Sequence, residues 1–156
     1  MAKVAAHGAR ARSRARRLAL QGLYQWQLSG TPAQEVIAQL LADQNARDTD
    51  VDYFRMLLRD TVSDCVALEQ QYGSYLDRPA VQLDPIERSI LLLGTYELRS
   101  CLEVPYRVVL NEAVELSKKF GAEDSHKYIN AVLEKVCAEL RTTEFNRGSR
   151  RSRMPR

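Results

Sequence analysis

The residues with the clearest chemical purpose are arginines near the start of the chain: Arg10, Arg12, Arg14, Arg16 and Arg17. Lys3 precedes them and no acid lies between. A guanidinium can grip a phosphate through two parallel hydrogen bonds and can lie flat on an unpaired base, which an ammonium does less well. Five arginines to one lysine therefore lean toward nucleic acid. The competing readings are a solvated basic tail and a membrane-surface helix, and no bulky apolar rim borders the arginines to support the second. Catalytic chemistry finds no such pattern. Carboxylates are plentiful, but none has recognisable spacing to His7 or His126. No G-x-x-x-x-G-K-[ST], G-x-G-x-x-G, H-E-x-x-H or G-x-S-x-G occurs, so phosphate-loop, dinucleotide, zinc-protease and serine-hydrolase motifs are missing.

Cys65, Cys101 and Cys137 have no metal-ligand spacing and read as small core residues of a reducing compartment. No metal or cofactor is expected. No apolar run approaches the roughly 20 residues of a membrane span, and no signal-peptide pattern follows the basic start. The expected location is the cytoplasm.

The net charge of +3 hides a strong polarity: +6 over residues 1–17, +5 over 141–156, and −8 between. Basic ends suit a polyanion, and an acidic body suits a basic protein partner.

The elements that must position these residues are helices. In a helix starting near Arg10 and stopping at Gly30, each residue advances about 100°. Arg10, Arg14, Arg17, Gln21 and Tyr24 then share a sector of roughly 80°. Leu18, Ala19, Gly22, Leu23 and Trp26 gather on another side. Arg12 and Arg16 are expected to widen the basic surface. Cations at a helix N-terminus oppose the macrodipole at about 0.3–1 kcal/mol each, a cost that a bound polyanion would reverse.

Thr31-Pro32 and Gln34 suggest a capping box opening a second helix. A third runs from near Asp50 to Gly73, and Asp84-Pro85 with Glu87 opens a fourth through another capping box. Further helices follow Pro105, ending at Gly121, and Asp124 or Ser125, ending near Leu140. The expectation is an all-α bundle of six or seven helices with short loops. Residues 1–9 read as a flexible basic N-terminus, 10–140 as the helical domain and 141–156 as a disordered basic tail.

Three segments together resemble the NusB family of transcription antitermination factors: ALQGLYQWQLSG, DVDYFRMLLRDTV, and VPYRVVLNEAVELSKKFGAEDSHKYINAVLEKV, the last over residues 104–136. The resemblance runs from about Arg10 to Leu140. It implies two packed three-helix bundles and no catalytic activity. It implies binding of the single-stranded boxA element of ribosomal RNA transcripts, as a heterodimer with the ribosomal protein NusE. RNA polymerase and other Nus factors are engaged indirectly, and suppression of termination is the outcome. Carried over residue by residue, the RNA grip is Arg10, Arg12, Arg14, Arg16 and Arg17, with Ser13 standing where a further arginine can occur. The GAEDSHKY corner adds Asp124, Lys127 and Tyr128 beside the RNA. Asp124 also has capping of the last helix as a competing duty, and Tyr128 could equally be a rim tyrosine. Tyr24 and Glu87 match residues facing NusE, although Tyr24 could close the core and Glu87 could simply cap its helix. The resemblance leaves monomer or homodimer open for the free protein. A second reading keeps the fold and makes the chain an RNA-binding accessory to a ribosomal RNA methyltransferase.

Overall fold

The fold is described from a computed structural model. It describes residues 2–43 and 46–153, with side chains over 8–43 and 46–148. Among the described residues eight α-helices follow one another: α1 Ala2–Ser29, α2 Ala33–Ala42, α3 Val51–Ser63, α4 Cys65–Gly73, α5 Pro85–Ser100, α6 Tyr106–Phe120, α7 Ser125–Leu140 and α8 Thr142–Arg153. A short 3₁₀ turn over Ala80–Gln82 leads into α5.

Helices α1, α2 and α3 pack pairwise into one three-helix bundle, and α5, α6 and α7 into another. The two are joined where α5 packs on α1 and α3. The reason for that central place is composition. Every residue of α5 from Ser89 to Leu98 is buried, so this helix has no wet face to turn outward. Phe54, Leu57 and Leu58 of α3, Leu23 of α1 and Ile129 and Leu133 of α7 complete the fully enclosed core. Gly22 lets α1 approach α3 closely: a Cβ there would lie 2.6 Å from Leu58 Cδ2.

Local signals act as their chemistry predicts at two helix starts. Asp50 accepts from the Tyr53 amide at 3.1 Å. Asp84 accepts from the Glu87 amide at 2.8 Å while the Glu87 carboxylate accepts from the Asp84 amide at 3.3 Å, a complete capping box. Elsewhere the expectation needs correcting. Pro32, not Thr31, holds the N-cap position of α2, with no side-chain cap; Thr31 instead shares a hydrogen bond with Ser29. The expected third helix is two, broken at Asp64.

The largest correction is at the end of the chain. Residues 141–156 were expected to be disordered, yet Thr142–Arg153 is helical. Arg141 is the cause. Its guanidinium is buried at the junction and donates to the backbone carbonyls of Glu97, Leu98, Cys101 and Val104. These acceptors lie at the C-terminal end of α5 and in the loop after it, and the Glu97 and Cys101 carbonyls also accept from the Cys101 and Val104 amides. Phe145 then packs edge-on against Tyr106 at 5.5 Å. The segment expected to be flexible over residues 1–9 is instead the first part of α1 from Ala2 onward, and the side chains of residues 1–7 lie outside the described residues. Among the described residues no helix is long and apolar enough to cross a membrane, and no cluster of His, Cys, Asp or Glu could hold a metal ion.

Candidate nucleic-acid interface

Helix α1 presents its stripe as its register dictates. Arg10, Arg14, Arg17, Gln21 and Tyr24 are all exposed, whereas Ala15, Leu18, Ala19 and Leu23 are buried. Helix α6 lies alongside α1. Between them opens a cleft of about 650 Å³ lined by Arg14, Arg17, Leu18, Leu20, Gln21 and Tyr24 of α1, by Lys119 and Phe120 at the end of α6, by Arg47 and Asp48 of the α2–α3 loop and by Ile86 of α5. Its charged lining is four cations and one carboxylate. Asp48 pairs with Arg14 at 3.8 Å across an exposed gap, a contact worth well under ~1 kcal/mol. Arg17 makes no ion pair among the described residues. Tyr24 and Phe120, 38% and 41% exposed, offer two flat apolar surfaces in the same cleft. Cations for a phosphodiester backbone and rings for unpaired bases are what single-stranded nucleic acid requires.

Arg16 does not belong to this surface, which corrects its expected role. It lies about 240° round the helix from Arg10, inside the packing sector, and is 3% exposed. Its Nε and Nη2 donate to Glu97 at 2.8 and 2.9 Å, and Glu112 stands 3.6 Å away. The Tyr53 hydroxyl donates to the same Glu97 carboxylate at 2.6 Å. Burial, reinforced by Glu97, pushes the Tyr53 phenol well above its ordinary range. Hydrogen bonding and charge from Glu97 hold Arg16 protonated despite its burial. This is a buried structural ion pair at the inner wall of a second cleft.

Arg12, about 200° from Arg10, is partly engaged as well. Its guanidinium lies 4.4 Å from the centre of the Tyr53 ring and 3.7 Å from Asp50. With Arg10 it lines a second cleft of about 600 Å³, at the N-terminal ends of α1 and α6, where Asp50, Glu103 and Glu112 offset the positive charge. Ser13 donates to Glu112 at 2.6 Å and so serves the α1–α6 contact.

Asp124, Lys127 and Tyr128 line neither cleft. Asp124 occupies the N-cap position of α7 in the left-handed region, φ 65°, but its side chain caps nothing. The capping duty weighed for it is therefore not performed; its carboxylate instead stands 3.5 Å from Lys127 Nζ, both exposed. Tyr128 is half-buried. Its hydroxyl accepts from the Asp77 amide at 3.3 Å, and Arg78 covers one ring face at 4.4 Å. A base therefore finds only part of this ring available. Gly121 shapes the corner: its φ is ordinary at −87°, but a Cβ would fall 2.5 Å from Ser125 Oγ and 2.7 Å from the Ser117 carbonyl.

Of the two residues expected at a protein interface, Tyr24 is exposed within the arginine cleft. Glu87 is only 8% exposed and closes the α5 capping box, so its carboxylate is not projected outward. Burial raises its pKa. Sequence reasoning missed Arg47, Lys119 and Phe120. The KKFG run ending α6 carried a signal for the last two, since two cations and an aromatic at a helix end are exposed more often than not; Arg47 carried none.

An all-α domain with an arginine-lined cleft beside aromatic rings is the class that these observations define. Residues 13–138 match the NusB family, and the chain belongs to it. The transcription antitermination protein NusB of Paraburkholderia phymatum is 48% identical over 141 residues, covering 90% of this chain and 97% of that protein. Its counterpart from Mannheimia succiniciproducens is 50% identical over 129 residues, covering 83% and 90%. Among solved structures, T. maritima NusB superposes with a TM-score of 0.76 at 24% identity, over 86% of this chain and 96% of that one. A complex of the antitermination factors NusB and NusE with double-stranded RNA contains a chain that superposes at 0.75 with 27% identity, over 83% and 98%.

Proposed function

We propose that this chain is a transcription antitermination factor that holds the boxA strand of ribosomal RNA transcripts in the α1–α6 cleft. It acts as a heterodimer with NusE in the cytoplasm, and engages RNA polymerase and other Nus factors through that complex. The observation that carries the reading is the cleft itself: Arg14, Arg17, Arg47 and Lys119 around two exposed rings, with one acid among them. Arg14 and Arg17 follow the phosphates, Tyr24 and Phe120 receive bases, and Arg10 extends the track toward the start of α1. Lys127 adds a cation at the neighbouring corner. Family membership and the NusB–NusE–RNA complex of a relative support the pairing of RNA with NusE. The acidic body of the chain, −8 over residues 18–140, suits a basic ribosomal protein.

The test is a titration of boxA and scrambled strands, single and double, with and without NusE. Preference for single-stranded boxA, sharpened by NusE, supports the reading. Equal affinity for boxA and scrambled RNA in both arms refutes it. A pull-down that recovers a ribosomal RNA methyltransferase in place of NusE would favour the accessory-domain reading.

A further inference from the structure

Helix α1 carries three glutamines, Gln21, Gln25 and Gln27, and two of them are used within the protein. Gln25 donates to the Gln39 side chain at 2.7 Å. Gln27 donates to the Pro85 carbonyl at 3.0 Å and to Ser89 Oγ at 2.7 Å, and accepts from Arg88 at 3.3 Å. Gln21 is the exception. It is exposed, and its side chain makes no hydrogen bond among the described residues. It stands in the lining of the α1–α6 cleft, where it is the one amide side chain. Arg17 precedes it by four positions and Tyr24 follows it by three, spacings that put side chains on neighbouring turns about 5–6 Å apart at Cβ. Phe120 faces the cleft from α6.

The charged groups of the lining are one-sided. Its cations only donate, and Asp48 only accepts and is already paired with Arg14 at 3.8 Å. Gln21 alone holds a donor and an acceptor side by side in one plane. Such an amide makes two parallel hydrogen bonds to a base edge on which a donor adjoins an acceptor. Adenine offers that pair on both edges, N6–H with N1 on one and N6–H with N7 on the other. Guanine, cytosine and uracil offer it on the Watson–Crick edge alone. We infer that Gln21 is the residue of the cleft that selects a base, and that the base is adenine. The base stacks on Tyr24, Gln21 Oε1 accepts from N6 and Nε2 donates to N7 or N1, while Arg17 takes the adjoining phosphate. Phosphate contacts fix the strand's position without reading its sequence, so the amide supplies what the arginines beside it do not.

This inference rests on the RNA reading, and one binding series separates the two. With NusE present, boxA strands in which each adenine in turn is replaced by purine riboside, which lacks N6, are titrated against wild type, Gln21→Ala and Arg17→Ala. A bidentate base contact discriminates by about 5–150-fold. Wild type should lose affinity by a factor in that range at one adenine. Gln21→Ala should bind the unmodified strand more weakly by a similar factor and be indifferent to the replacement at that same position. Its log–log salt slope should equal that of wild type, because no charge is removed, whereas Arg17→Ala should lose about 0.7. Its melting temperature should not move, since the side chain bonds to nothing in the fold. A wild type with no penalty at any adenine, or a Gln21→Ala protein that keeps wild-type affinity or the full penalty, overturns the assignment and leaves the RNA reading standing. A wild-type chain that binds none of the strands overturns both.

Discussion

Replacing Arg16 with alanine separates structure from recognition within one arginine cluster. The substitution leaves the Glu97 carboxylate, buried with its partner at 2–3% exposure, with the Tyr53 hydroxyl as its one remaining hydrogen-bond donor among the described residues. Three bonds at 2.8, 3.1 and 2.9 Å and the attraction of the guanidinium are lost. Removing one member of a buried ion pair costs about 3–5 kcal/mol, because the other is left uncompensated in a dry site. For a domain of this size that lowers the melting temperature by about 10 °C and the urea midpoint by roughly 2 M. Replacing both partners, Arg16→Met with Glu97→Leu, should restore most of the loss, since an apolar pair of similar volume carries no desolvated charge. Urea unfolding followed by circular dichroism reads both effects. RNA affinity, measured at a temperature where the single variant is folded, should be unchanged. An Arg16→Ala protein as stable as wild type but with a salt slope reduced by about 0.7 would refute the assignment and return Arg16 to the RNA surface.

Arg17→Ala should do the reverse, lowering RNA affinity and the salt slope with little change in melting temperature, since Arg17 is exposed and unpaired among the described residues. Glu87→Gln should preserve the capping box, because an amide oxygen also accepts from the Asp84 amide. A carboxyl whose pKa is raised by burial stabilises the fold below the ordinary carboxylate range and loses that contribution as pH rises through the raised value. The variant should therefore match wild type in acid and gain on it toward neutrality in a pH series of urea melts, and an advantage that grows as pH falls would contradict this. Burial pushes the Cys101 and Cys137 thiols up to about 11, so at pH 8 a thiol reagent should modify half-buried Cys65 first and the other two only on unfolding. Three equal rates would show that the core opens. Gly121→Ala drives a Cβ onto Ser125 Oγ and the Ser117 carbonyl; it should cost about 1–3 kcal/mol by calorimetry and disturb the α6–α7 corner.

Much of this was legible from short-range chemistry. The capping box at Asp84 and Glu87, the apolar run of α5 and the wet stripe of Arg10, Arg14, Arg17, Gln21 and Tyr24 depend on residues within a few turns of one another. What the sequence hid depends on distant pairing. Arg16 differs from Arg17 by one position, and hence by about 100°. Its partner Glu97 is 81 residues away, so residue type suggested a grip where register and burial impose an ion pair. The tail was read from its poverty in apolar groups, whereas α8 is held by one buried arginine on the carbonyls of a helix end. Glu87 illustrates the overlap of signals, since the residue expected to face a partner closes its own capping box. Arg47 enters the cleft from a loop whose path no local pattern specifies.

On the proposed reading, the cations of the α1–α6 cleft follow an RNA backbone. Its most direct test is the salt dependence of boxA binding for wild type beside a variant with Gln at Arg14, Arg17 and Lys119. Three lost phosphate contacts predict a log–log slope shallower by about 2, with the bundle melting as before. Parallel lines for the two proteins, at equal affinity, would contradict it.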